Sequence, residues 1–195
     1  MLRIPAAVSA LVLMTATSAQ AVPVFFKTGL SGANEFPANA STASGWANVF
    51  FDPTAHTMRV IVSYQGLSSP TTAAHIHCCV ATPFDVTLTA GVATTTPTFP
   101  GFPTGTSGFY DQIFDMTLAG SYRAGFITAA GSIAAAETLL YNGLQAGTAY
   151  LNVHSQNFTA GEIRGFLQVP EPLSLSLFGA GLVGVVALRR RRQRA

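Results

Sequence analysis

The sequence predicts a mainly β fold, an antiparallel sandwich or barrel with one late helix. Three observations carry this. Apolar and polar residues alternate with a period of two in several separate stretches. Clusters of Gly, Pro, Asp and Thr punctuate those stretches as turns. Only one long segment, late in the chain, has helical spacing.

The elements follow in chain order. In Gly45–Phe51 the residues Ala47, Val49 and Phe51 share a side. Asp52-Pro53-Thr54-Ala55 supplies a turn, and Thr57–Tyr64 resumes with Met58, Val60, Val62 and Tyr64 on one face. The pair reads as a β-hairpin. Ala73–Val80 and Val86–Thr89 are further strand candidates. Ala90–Gly108, rich in Thr, Pro and Gly, reads as a long surface loop. Tyr110–Leu118 alternates again, with Phe114, Met116 and Leu118 aligned. A short helical turn is expected in Ser121–Ala129. Ser132–Gln145 places Ile133, Ala136, Leu140 and Leu144 at helical spacing, with Ser132 as cap and Gly147 beyond the end. Thr148–His154 and Glu162–Val169 close the body. Val49, Phe51, Val60, Val62, Phe114, Met116, Leu151 and Ile163 are the expected core.

Composition narrows the class. Of 195 residues, 49% are hydrophobic and 9% charged, against about 25% charged in ordinary soluble domains. So much apolar content excludes a disordered chain, and so little charge is unusual for a cytoplasmic enzyme. The net charge of +2 conceals an asymmetry. Arg189, Arg190, Arg191, Arg192 and Arg194 crowd the C-terminus, while Val22–Val169 holds four basic residues against seven acidic ones. A mildly acidic body argues against nucleic acid, whose phosphates require a basic surface.

Both ends read as addresses. Residues 1–21 form a signal peptide, with Arg3, an apolar stretch and Ala19-Gln20-Ala21 as a small-x-small cleavage site. At the other end Pro170-Glu171-Pro172 precedes an uncharged run, Leu173–Leu188, and then the arginines. The run is short for a span of about 20 residues, and the arginines would stay on the cytoplasmic side. An ordinary single-pass anchor has the same composition. The tripartite order resembles the PEP-CTERM sorting signal of Gram-negative bacteria. The resemblance implies an exosortase-type processing enzyme as partner, a transmembrane helix holding the protein before sorting, and delivery to the cell surface or exterior, often among exopolysaccharide.

The body between has its own ordered motifs. They are Leu30-Ser31-Gly32-Ala33-Asn34-Glu35-Phe36-Pro37, Ala73-Ala74-His75-Ile76-His77, Tyr150-Leu151-Asn152-Val153-His154 and Gly161-Glu162-Ile163-Arg164-Gly165. Together they resemble the CHRD domain, over about residues 25–168. The resemblance implies a β-rich extracellular domain, immunoglobulin-like or barrel-like, without a settled biochemistry. Cys78-Cys79 departs from the pattern, since many relatives carry Gly or Pro there. The expected organisation is a signal peptide at 1–21, a CHRD domain at 22–168, and a sorting signal with hydrophobic helix and Arg-rich tail at 169–195. The expected function is a binding or structural module of the envelope or exopolysaccharide matrix, not an enzyme.

Candidate chemistry rests on few residues. His75 and His77 project from one strand face, and His154 lies on another strand. Three imidazoles suit Zn or Cu and leave a position open, which makes a small metalloprotein the alternative function. Structural hydrogen bonding within the sheet explains the same histidines. His56 sits in a turn and is expected to be solvated. Glu162 and Arg164 are candidates for a structural ion pair, with Glu35 as the other partner for Arg164. Cys78 and Cys79 read as a vicinal disulfide, with an intermolecular bond or soft ligation beside His77 as alternatives. Phe99, Phe102 and Phe109 are expected to cover the core edge, or else to offer aromatic surface to sugars. Asp111 and Asp115 show no catalytic pattern, and no nucleophile elbow, P-loop, dinucleotide fingerprint or HExxH motif is present.

Processing at the sorting signal has a direct readout. Protein recovered from outside the producing cell should lack Arg189–Arg194 by intact mass. Finding the arginines still attached there rejects processing and leaves simple anchoring.

Overall fold

A computed structural model describes residues 22–170. The segment expected to be a signal peptide, Glu171, Pro172, the apolar run and the arginine tail lie outside the described residues. The fold is mainly β, as the alternation predicts. Seven strands form one curled antiparallel sheet, a half-barrel: β1 (Val24–Ser31), β2 (Ser44–Asp52), β3 (Thr57–Gln65), β4 (Thr71–His77), β5 (Gly108–Asp115), β6 (Tyr150–Ser155) and β7 (Ile163–Phe166). Their spatial order is β4-β6-β7-β1-β2-β3-β5. Of the two architectures expected, the barrel is the nearer, because one sheet curls around the core instead of two sheets stacking.

The hairpin of β2 and β3 forms in the expected register, with Val49 opposite Val60 and Ala47 opposite Val62. Its inward residues are buried, and so are all eight expected core positions. Two helices, α1 (Ala124–Ala130) and α2 (Ile133–Gln145), pack on that core. The Ser132 hydroxyl caps α2 by accepting from the Ala135 amide at 3.1 Å. The helical turn expected at Ser121–Ala129 is α1, displaced a few residues along the chain. Among the described residues no single helix is long and apolar enough to cross a membrane.

Two expectations fail for one physical reason. Val86–Thr89 is a turn, because the Asp85 carboxylate accepts from the Thr87 amide and hydroxyl at 2.9 and 2.6 Å. The same Asp-x-Thr device at Asp115 ends β5 there, with bonds of 2.8 and 2.6 Å from Thr117. Leu118 therefore leaves the face of Phe114 and Met116 and is 57% exposed. β1, in addition, has no counterpart among the expected elements, because it carries no clean alternation. Phe25 and Phe26 are adjacent, and Phe25 stacks on Phe50 across the outer face at 4.8 Å while Phe26 fills the core. Phe99 and Phe102 are buried, whereas Phe109 is exposed on β5.

The β4, β6 and β7 side of the sheet is buried on both faces. One face gives Ala74, Ile76, Leu151, Val153 and Ile163 to the core. The other carries His75, Asn152, Tyr150, Arg164 and Phe166, all buried under the segment 78–94 and the turn at 32–35. β7 meets β1 closely: a methyl group on Gly165 would lie 2.2 Å from the Gly29 carbonyl and 2.4 Å from the Thr28 hydroxyl. Gly165→Ala should therefore push the strands apart and cost about 1–3 kcal/mol by overpacking. The urea midpoint measures this, and a wild-type midpoint would show that the strands part freely.

Candidate functional site

Antiparallel pairing builds the site. β4 and β6 align Ala73 with His154, His75 with Asn152, and His77 with Tyr150. Opposed residues share a face, so the three histidines project together. His154 therefore sits diagonally beside His75 rather than beside His77. The Nε2 atoms of His75 and His154 are 2.9 Å apart. One ring nitrogen from each of the three residues lies within 4.8 Å of the others.

Backbone carbonyls set the tautomers. His77 Nδ1 lies 2.7 Å from the Ala90 carbonyl, and His154 Nδ1 lies 2.9 Å from that of Thr159. A carbonyl only accepts, so each Nδ1 carries a proton and each neutral ring turns a bare Nε2 lone pair inward. His75 Nε2–H then donates to His154 Nε2. Among the described residues, three buried side-chain polar atoms have no hydrogen-bond partner: His75 Nδ1, His77 Nε2 and Asn152 Oδ1. All three belong to this face.

Burial disfavours charge on the rings. It takes His75 down to about 3, with His77 and His154 adding to the effect, and takes His77 down to about 4. His154 is lowered by burial too. The histidines are therefore neutral lone-pair donors at neutral pH.

Arg164 anchors the neighbouring half of the face. It is 1% exposed and donates to the carbonyls of Asn34, Val86 and Leu88, with Glu35 at 3.8 Å. Its guanidinium carbon lies 4.7 Å from the centre of the Tyr150 ring, which stacks on His77 at 4.7 Å and 7°. Glu35 also accepts from Asn152 Nδ2 at 2.9 Å. Burial nonetheless outweighs these partners and raises Glu35 to about 7.

The comparisons bear on this arrangement. A family model described as the CHRD domain matches residues 26–167. The chain belongs to the CHRD domain family. A second model, the PEP-CTERM protein-sorting motif, matches residues 168–192. The two together mark this CHRD protein as exported and sorted by exosortase, with membrane anchoring before sorting. Neither is an enzyme family. No curated protein and no solved structure matches the chain.

The CHRD domain places the remaining candidates as follows. The Glu162–Arg164 pair does not form. Glu162 accepts from the Ser41 hydroxyl and the Ser68 amide, both at 2.7 Å, while Arg164 turns to Glu35. Glu162 lies in the bend just before β7, where its amide still donates to the Val153 carbonyl while its carboxylate turns to the serines. Burial alone would raise Glu162, yet the serine hydrogen bonds hold it below the usual carboxylate range. His56 is half-exposed, but its Nδ1 holds the Glu137 carboxylate at 2.9 Å and ties the β2–β3 turn to α2. Asp111 pairs with Arg59 at the surface. Cys78 and Cys79 are joined by a disulfide seated on Gly143 of α2, where a methyl group would meet both sulfurs within 2.5 Å. Tyr150 and Asn152, which complete the site, stood in the sequence inside a quoted motif, but only the strand register reveals their role.

The neutral rings make stability pH-dependent. Unfolded histidines protonate near 6.5, while folded His75 and His77 resist until about 3 and 4. Their contribution is complete above pH 6.5 and falls with pH below it, by up to about 1.4 kcal/mol per pH unit and ring. Glu35 acts oppositely: raised from 4.5 to about 7, it contributes below pH 4.5 and loses that contribution as pH rises through 7. The rings outnumber the carboxyl between pH 6.5 and 4.5. The urea midpoint of the metal-free protein should therefore fall across that range, and His75→Gln should flatten the slope. An unchanged slope would show that the folded rings titrate as in water.

Proposed function

We propose that this exported protein acts at the cell surface as a binding module of the envelope or exopolysaccharide matrix, through a domain spanning 22–168, and not as an enzyme. Its ligand is a transition-metal ion, Zn or Cu, held by His75, His77 and His154. The observation that carries this reading is the set of buried, partnerless polar atoms confined to the histidine face. A buried polar atom without a partner costs roughly 1–3 kcal/mol, and an ion at the centre of the rings supplies the missing partner to His77 Nε2.

The donor set fits such an ion. Neutral imidazole nitrogens suit Zn and Cu, and carbonyl partners on His77 and His154 orient the rings as outer-shell groups do in known centres. Bonds of about 2.0–2.1 Å require nitrogens roughly 3–4 Å apart. The widest pair, at 4.8 Å, closes to that range by a small turn of the rings. Binding through His75 Nε2 moves its proton to Nδ1, so the centre forms without a net change in charge on the ligands.

Calorimetric titration of the metal-free protein with Zn(II) and Cu(II) tests this. One ion should bind per chain. His77→Ala should weaken binding by about tenfold or more, whereas His56→Gln, which touches only the Glu137 pair, should leave it unchanged. Equal affinities in the two variants, or no binding by the wild type, would leave the histidines as structural residues of a plain matrix module.

A further inference from the structure

Three nitrogen ligands leave a metal ion with an open position, and the surroundings decide what enters it. The ligands are neutral, so the ion keeps its full positive charge. Among the described residues, the nearby acid Glu35 is engaged by Arg164 and Asn152. Among the described residues, two cations have no carboxylate partner, Lys27 and Arg123, and Arg123 is the one beside the segment that covers the histidines.

Its position follows from the backbone. The segment 92–99 runs along the free edge of β4: His77 bridges to Val92, the Ile76 carbonyl accepts from the Ala93 amide, and the Ala74 carbonyl accepts from Phe99. The chain returns at Tyr122 and Arg123 beside that segment, with a bridge from Thr94 to Tyr122 and a bond from the Arg123 amide to the Ala93 carbonyl. Both residues are extended. Successive side chains of an extended segment point to opposite faces. Tyr122 enters the core, so Arg123 turns to the face of His75 and His77. Its guanidinium lies 3.9 Å from where a methyl group on Gly91 would stand. Gly91 adjoins Ala90, whose carbonyl holds His77. Arg123 is exposed, and no carboxylate among the described residues pairs with it.

We propose that Arg123 makes the open position of the three-histidine centre a site for small anions, which bind the metal and are held from the rim by the guanidinium. This rests on the metal reading above. The recognised class is a compact monoanion such as azide or a short carboxylate. Such a ligand cancels half the charge that three neutral imidazoles leave on a divalent ion, and a guanidinium suits it by both charge and directed donors.

The test uses the full-length protein loaded with Cu(II), with copper stoichiometry measured first for each variant. Azide is then titrated by its charge-transfer absorption. Arg123→Gln should raise the azide Kd about five- to tenfold, as expected for one charge at short range in a partly solvated site. Arg123→Lys should stay within about threefold of wild type, and Arg123→Glu should be weaker than Arg123→Gln. The side chain is exposed, so its replacement opens no cavity. Equal azide affinity in wild type and Arg123→Gln, with copper bound to both, overturns the role of Arg123 and leaves the metal centre standing. Failure of wild type to bind copper overturns the metal reading and this inference with it.

Discussion

A buried guanidinium is the constraint on which the histidine side of the molecule depends. Arg164 carries a guanidinium charge, and a charge removed from water must find partners or unfold the region around it. It finds three carbonyls and the Glu35 carboxylate, drawn from the turn at 32–35 and from the segment covering β7. Those segments roof the polar face. Tyr150 lies against the same cation and, stacked on His77, passes the constraint to the imidazole. Glu35 is held between Arg164 and Asn152, the cross-strand neighbour of His75. A charge placed for packing reasons thereby fixes the surroundings of a neutral site.

The division of labour across the sheet follows. β2, β3 and β5 face core on one side and water on the other, and their outer residues serve solubility, as in the Arg59–Asp111 pair. β4, β6 and β7 have no watery side. Their second face is polar but dry, and a dry polar face is tolerable only when almost every atom is paired. The paired atoms hold the architecture, and the few unpaired ones mark where a ligand belongs.

This division also explains what was legible in the sequence. Half-buried strands print their alternation, which is why β2 and β3 read correctly to within a residue. Doubly buried strands print near-continuous burial, so β6 and β7 were recognised by motif more than by period. β1 was missed because two adjacent phenylalanines serve opposite faces. Val86–Thr89 looked like a strand because its residues suit one, yet its carbonyls serve Arg164 while Asp85 curls its backbone. The two Asp-x-Thr turns are legible as stops, and the second places the end of β5 at Asp115. At the site, the His-x-His spacing gave two rings on one face, but the neighbours of those rings needed the register. Arg164 likewise has Glu35, from the turn at 32–35, as its carboxylate neighbour instead of Glu162 two residues away, whose carboxylate goes to Ser41 and Ser68.

The doubly buried strands have a consequence for how this family can change. In a strand with one wet side, a register slip exposes some oil and drowns some charge, and a loose protein can still survive. In β4 a slip of one place would exchange Ile76 with its histidine neighbours, driving imidazoles into the hydrocarbon core and aliphatic carbon against Arg164. Neither interior could absorb the other's chemistry. A one-residue insertion or deletion inside these strands should therefore be far more damaging than one in the connecting loops, because no neighbouring register preserves both interiors.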